Sequence, residues 1–223
     1  MSGSGREAPT VPVRPARTPE PTVLRRVRTA LLPRRRHLLG VAWLILDRST
    51  SMGDFGKMEA LRDGAWKYFV QAVRRSHAVG AVTFGDDARV LYGAGIDARR
   101  FQARLDTLRP FGRTRMDAGL DLAAARLRFR SGARSALLLT DGVPDDPEAT
   151  LRAAATLRGL GVRLVAIGTG DADAAFLQAL AGAPELARTV PRAHLAHALE
   201  DAAHALDAAP RVPVEGADRR GAR

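Results

Sequence analysis

Residues 37–51 read HLLGVAWLILDRSTS: a ten-residue apolar run, an acidic residue, then a short stretch dominated by hydroxyls. Unbroken apolar character, without polar alternation, is what a strand covered on both faces requires. The run is too short to span a bilayer. Its abrupt end in Asp47-Arg48-Ser49-Thr50-Ser51 marks a polar loop at the carboxyl end of that strand.

Working outward, the chain alternates helical and strand patterns. KMEALRDGAWKYFVQAVRR (57–75) places Met58, Leu61, Ala65, Phe69, Ala72 and Val73 at helical spacing. AVGAVTFG (78–85) and ARVLYG (88–93) flank Asp86-Asp87, a turn short enough to force an antiparallel pair. Helices are expected at 97–108, 117–128, 147–160, 173–180 and 194–207. Further strands are expected at 134–142, 162–170 and 187–190, the last at an edge. This order predicts a doubly wound, Rossmann-like α/β domain over residues 37–207. Its sheet has six strands, mostly parallel with one antiparallel edge strand, and helices on both faces.

Composition bounds the chemistry. The chain has 223 residues, no cysteine, and 35 basic against 24 acidic side chains. Disulfides, thiolate metal sites and thiol nucleophiles are excluded. Only Lys57 and Lys67 are lysine; the other basic residues are arginine. Residues 1–36 are rich in proline and arginine and read as a disordered basic arm, and residues 208–223 as a disordered tail. Arg25, Arg26, Arg28, Arg34, Arg35 and Arg36 suggest nucleic acid or an anionic surface as a partner. No aromatic residue interleaves them as a stacking platform would, which favours a solvated linker. Arg34-Arg35-Arg36 ahead of the apolar run also imitates a twin-arginine export signal, but no small-x-small cleavage site follows, and a cytoplasmic location is expected.

In open α/β sheets, ligands bind outside the carboxyl ends of the strands. Two strands here end at an aspartate: Leu46-Asp47-Arg48-Ser49-Thr50-Ser51-Met52, and Leu139-Thr140-Asp141-Gly142. Between them, Gly112-Arg113-Thr114-Arg115 forms a loop before a helix. Asp47, Ser49, Ser51, Thr114 and Asp141 together are two carboxylates and three hydroxyls. These are hard oxygen donors, suited to Mg²⁺, Mn²⁺ or Ca²⁺ and poorly suited to zinc. In an extended loop alternate residues point the same way, so Asp47, Ser49 and Ser51 converge.

This order of features resembles the von Willebrand factor type A domain with its metal-ion-dependent adhesion site. The family's Asp-x-Ser-x-Ser matches Asp47, Ser49 and Ser51, its loop threonine matches Thr114, and its second aspartate matches Asp141. Thr50 and Arg113 stand where glycine is usual, and neither is a ligand position. The resemblance implies a non-catalytic module that holds Mg²⁺ and docks an Asp or Glu of a protein partner. It further implies company such as an AAA+ ATPase or a stress or tellurium-resistance complex. Arg48, Arg113 and Arg115 flank the ligands and are candidates for a positive rim that steers an acidic partner.

Competing chemistry fares worse. LILD followed by LLLT and Asp145-Asp146 echoes haloacid-dehalogenase-like phosphatases, but the position of the second catalytic aspartate is Ser49, which cannot transfer the proton. No P-loop, GxSxG or GxGxxG is present. His194, His197 and His204 share one helical face, opposite Leu195, Leu199, Ala202 and Leu206, and read as solvated.

Overall fold

The computed structural model describes residues 38–54, 56–170, 172–204, 206 and 211–212. The basic arm at 1–36 and most of the 208–223 segment lie outside them.

Strand β1 (Gly40–Asp47) is buried at all eight positions, as the apolar run requires. Helix α1 (Lys57–Arg74) then leads to β2 (His77–Phe84), also buried throughout, and β3 (Ala88–Gly95). Helices α2 (Ala98–Leu105) and α3 (Met116–Leu127) carry the chain to β4 (Gly132–Thr140). Helix α4 (Pro147–Gly159), β5 (Arg163–Gly168), α5 (Ala174–Ala181), β6 (Ala187–Thr189) and α6 (Leu195–His204) complete the alternation. Short polar side chains cap the helices where the sequence offers them. Asp97, Asp146 and Asp173 accept from Arg100, Ala149 and Ala175 N–H, at 3.0, 2.8 and 2.8 Å.

The strand order is β3-β2-β1-β4-β5-β6, with only β3 antiparallel along this path. A two-residue strand, β7 (Arg211–Val212), pairs antiparallel with the start of β4. It lies in the stretch expected to be tail. The chain winds from β1 outward to β2 and β3, then crosses to β4 and continues the other way. The reversal puts a crevice between the carboxyl ends of β1 and β4.

Alternation along β1 divides the core. Val41, Trp43 and Ile45 pack with Met116, Leu120 and Leu127 of α3 and with Leu157 of α4. Trp43 lies beside Gly80, its register partner on β2, where an added Cβ would meet the indole at 2.5 Å. The small residue makes room for the large one, and any side chain there would displace it. Elsewhere α1 packs on α6, and Phe69, Tyr92 and Phe101 form an aromatic cluster with Phe69 and Phe101 stacked at 4.3 Å.

Candidate metal centre

The crevice is where the two strand-end aspartates meet. Asp47, the last residue of β1, is fully buried. One carboxylate oxygen accepts from the Ser49 N–H at 2.8 Å and the other from the Thr140 hydroxyl on neighbouring β4 at 2.7 Å. Thr140 is a supporting residue that local sequence reading assigned no role. Its neighbour Asp141, just past β4, is nearly as buried. Removal from water drives the Asp47 carboxyl up to about 6, against the hydrogen bonds from Ser49 and Thr140; the nearby charge of Asp141 adds to the rise.

Two serines join the carboxylates. The chain after β1 turns through a single 3-10 turn, Thr50–Gly53, closed by Met52 N–H on the Ser49 carbonyl at 3.0 Å. Met52 is buried beneath the turn, while Ser51 faces solvent. The turn brings the Ser49 and Ser51 hydroxyls to 3.0 Å, and Ser51 donates to an Asp141 oxygen at 2.9 Å. Asp47, Ser49, Ser51 and Asp141 therefore form one connected polar chain, buried at both ends and open to solvent at Ser51.

Thr114 sits on an adjoining loop rather than in that chain. The loop is held by main-chain contacts: Phe111 N–H donates to the Arg48 carbonyl at 2.6 Å, and the Gly112 carbonyl accepts from Thr50 N–H at 2.9 Å. Gly112 has φ of +85°, and a Cβ there would strike the Asp86 backbone nitrogen at 2.6 Å. Asp86 in turn accepts from Arg113 N–H at 2.9 Å. The Thr114 carbonyl accepts from Asp145 N–H at 3.2 Å, tying the loop to the segment after Asp141. Among the described residues, the Thr114 hydroxyl makes no hydrogen bond to the other four candidates.

The arginines flanking the site are each committed to a carboxylate. Arg48 pairs with Asp87 at 3.1 Å and lies over the Phe111 ring. Arg113 pairs with Asp145 at 3.4 Å and stays largely exposed. Arg115 grips Asp117 with contacts from 2.8 to 3.2 Å, holding the Asp117 carboxyl below its ordinary range. Helix α3 begins at Met116, so Asp117 lies in its first turn rather than capping it. His194, His197 and His204 are all exposed; His197 and His204 lie on α6, while His194 ends the 3-10 turn before it rather than opening the helix as expected.

A cation does reach the crevice from within the chain: the Lys57 ammonium donates to the second Asp141 oxygen at 2.7 Å. The sequence reading missed it. The available signal was the rarity of lysine in an arginine-rich chain. Two buried carboxylates beside one ammonium leave the crevice short of positive charge, and its donors are all oxygen. That set fits a divalent cation. Among the described residues, no group of three or more His, Cys, Asp or Glu side chains forms a metal cluster, so any cation held here relies on hydroxyls as well.

Comparison with known proteins follows the same lines. The family model for the von Willebrand factor type A domain matches residues 43–204. No curated protein matches the chain by sequence. Among solved structures, a von Willebrand factor type A protein from Catenulispora acidiphila is 22% identical, with a TM-score of 0.67 over 76% of this chain and 43% of that one. Manganese-loaded TRAP protein of Plasmodium vivax is 24% identical, TM-score 0.61, covering 73% and 72%. Proximal thread matrix protein 1 of the mussel byssus, with a zinc-occupied MIDAS motif, is 20% identical, TM-score 0.64, covering 75% and 45%. The chain thus spans less than half the length of two of these neighbours.

Proposed function

The chain belongs to the von Willebrand factor type A domain family, and from that premise we propose that it is a metal-dependent protein-binding module. The observation that supports this most is the joining of Asp47 and Asp141 by Ser49 and Ser51 in a buried, oxygen-lined crevice at the switch point. Asp47, Ser49, Ser51, Thr114 and Asp141 would hold the cation. When bound, the cation supplies an open position for a carboxylate from outside, which makes the partner a protein presenting Asp or Glu.

The chain's own residues do the rest. Thr140 and the Ser49 N–H orient the Asp47 carboxylate. The Gly112 loop sets the rim beside the exposed Ser51. Ser49 stands where a phosphatase of this layout needs its proton-transferring carboxylate, so we read the module as binding rather than catalysing. Mg²⁺ is the expected resident by donor hardness, although two of the neighbouring solved structures carry manganese and zinc. An AAA+ ATPase or a stress or tellurium-resistance assembly in a bacterial cytoplasm is the setting we favour. Among the described residues, no helix is long and apolar enough to cross a membrane.

The test is capture of partners on the immobilised protein in Mg²⁺ and in EDTA, with Thr114→Ala in parallel. The proposal expects proteins retained only by wild type in Mg²⁺. Equal retention in EDTA contradicts it.

A further inference from the structure

Lysine is the exception in this chain, and the Lys57 ammonium sits on a candidate metal ligand. Its placement runs against local preference. Lys57 is the first residue of α1, where the helix dipole favours an anion and disfavours a cation. A residue that breaks a local rule is held there by something non-local, and here the partner is Asp141, 84 positions away at 2.7 Å. The pair is partly shielded: the Asp141 side chain is 1% exposed and that of Lys57 22%. The exposure leaves the ammonium a way out. Lys57 also lines a cleft of about 450 Å³ with Thr169, Gly170, Thr189 and Arg192, at the carboxyl ends of β5 and β6.

We propose that Lys57 is a tethered counter-cation of the metal site, which holds Asp141 in the metal-free protein and withdraws toward the Thr169–Thr189 cleft when a divalent cation takes up that carboxylate. The inference rests on the metal-site reading above.

Three observations fit together on this view. The Asp141 side chain is buried, and the Lys57 ammonium is the cationic group that the structure sets against it at 2.7 Å. An ammonium is a point charge on a flexible stem, released more easily than the bidentate fork of an arginine. The cleft beside it is roomy enough for the displaced side chain. Lys57 then sets the metal affinity. Binding must break its ion pair, and its charge repels the incoming cation, so the site fills only at higher metal concentration.

The experiment is calorimetric titration of Mn²⁺ into the full chain, comparing wild type, Lys57→Met, Lys57→Gln and Lys57→Arg, with thermal unfolding of each in EDTA. Neutral substitutions are expected to tighten Mn²⁺ binding about tenfold while lowering the unfolding midpoint in EDTA. Lys57→Gln keeps a hydrogen-bonding end for Asp141 and guards against misfolding of Lys57→Met. Lys57→Arg is expected to bind no more tightly than wild type. Neutral variants that bind Mn²⁺ with wild-type or weaker affinity overturn the inference and leave the metal site standing. Absence of binding by wild type and every variant overturns the metal-site reading and this inference with it.

Discussion

Replacing Asp47 with Asn separates what the residue does for folding from what it does for binding. Asp47 is fully buried, and its carboxyl titrates near 6 rather than its ordinary 3.8. A raised carboxyl pKa means the folded state prefers the protonated form. The cost of ionising is absent below the unfolded value, grows as pH rises, and is complete above about 6. Each tenfold change in proton affinity corresponds to about 1.4 kcal/mol, so holding the charge at pH 7 costs about 3 kcal/mol. Asn removes that charge. Its carbonyl oxygen still accepts from Ser49 N–H, and its amide faces Thr140, whose hydroxyl already has the Gly142 carbonyl within 3.3 Å as an alternative acceptor. One amide proton is left poorly satisfied, at about 1–2 kcal/mol. Asp47→Asn should therefore be more stable than wild type by about 1–2 kcal/mol at pH 7 in EDTA. The gain should shrink to nothing or reverse near pH 4.5. Urea unfolding at the two pH values reads it directly. In saturating Mg²⁺ the order should invert, because only wild type gains binding energy. An Asn variant less stable than wild type at pH 7 in EDTA, or one with the same gain at both pH values, refutes the reasoning.

Other perturbations have equally definite outcomes. Gly112→Ala combines a positive φ with a clash against Asp86, so it should lower stability by about 2–3 kcal/mol and weaken metal binding through the Thr114 loop; an unchanged urea midpoint would count against the loop's role. Changing Arg113 and Arg115 to Ser should slow association with an acidic partner about two- to threefold at low salt and flatten its salt dependence, a modest effect because both arginines already pair with carboxylates. Stopped-flow rates that do not change remove the steering role. Deleting residues 1–36 should abolish any retention on DNA and leave Mg²⁺ binding untouched; DNA retention that survives the deletion excludes the arm as its cause.

The fold was legible because burial writes itself into local pattern. The run ending at Asp47 reads as a doubly covered strand, and β1 is buried at every position. Two apolar segments around Asp86-Asp87 had to pair antiparallel, as β2 and β3 do. Strand-end aspartates at 47 and 141 were visible because a charge closing an apolar run has few structural explanations. What local pattern does not carry is contact across the sheet. Thr140 reaches Asp47 from 93 positions away, and Lys57 reaches Asp141 from 84. Asp86, read only as a turn residue, is what holds the Thr114 loop. The pairing of Arg211–Val212 with β4 comes from a segment too short to carry a strand signal. The flanking arginines were visible as charges, but the carboxylates that offset them lie two to 39 positions away.

Asp47, Ser49, Ser51, Thr114 and Asp141 are proposed to hold a divalent cation. Calorimetric titration of Mg²⁺ and Mn²⁺ into wild type and into Ser49→Ala/Ser51→Ala tests it most directly. The double variant removes both hydroxyls that link the carboxylates and leaves the sheet untouched. Saturable one-site binding to wild type is expected, lost in the variant while the fold is retained. Binding of equal affinity and stoichiometry in both proteins would contradict it.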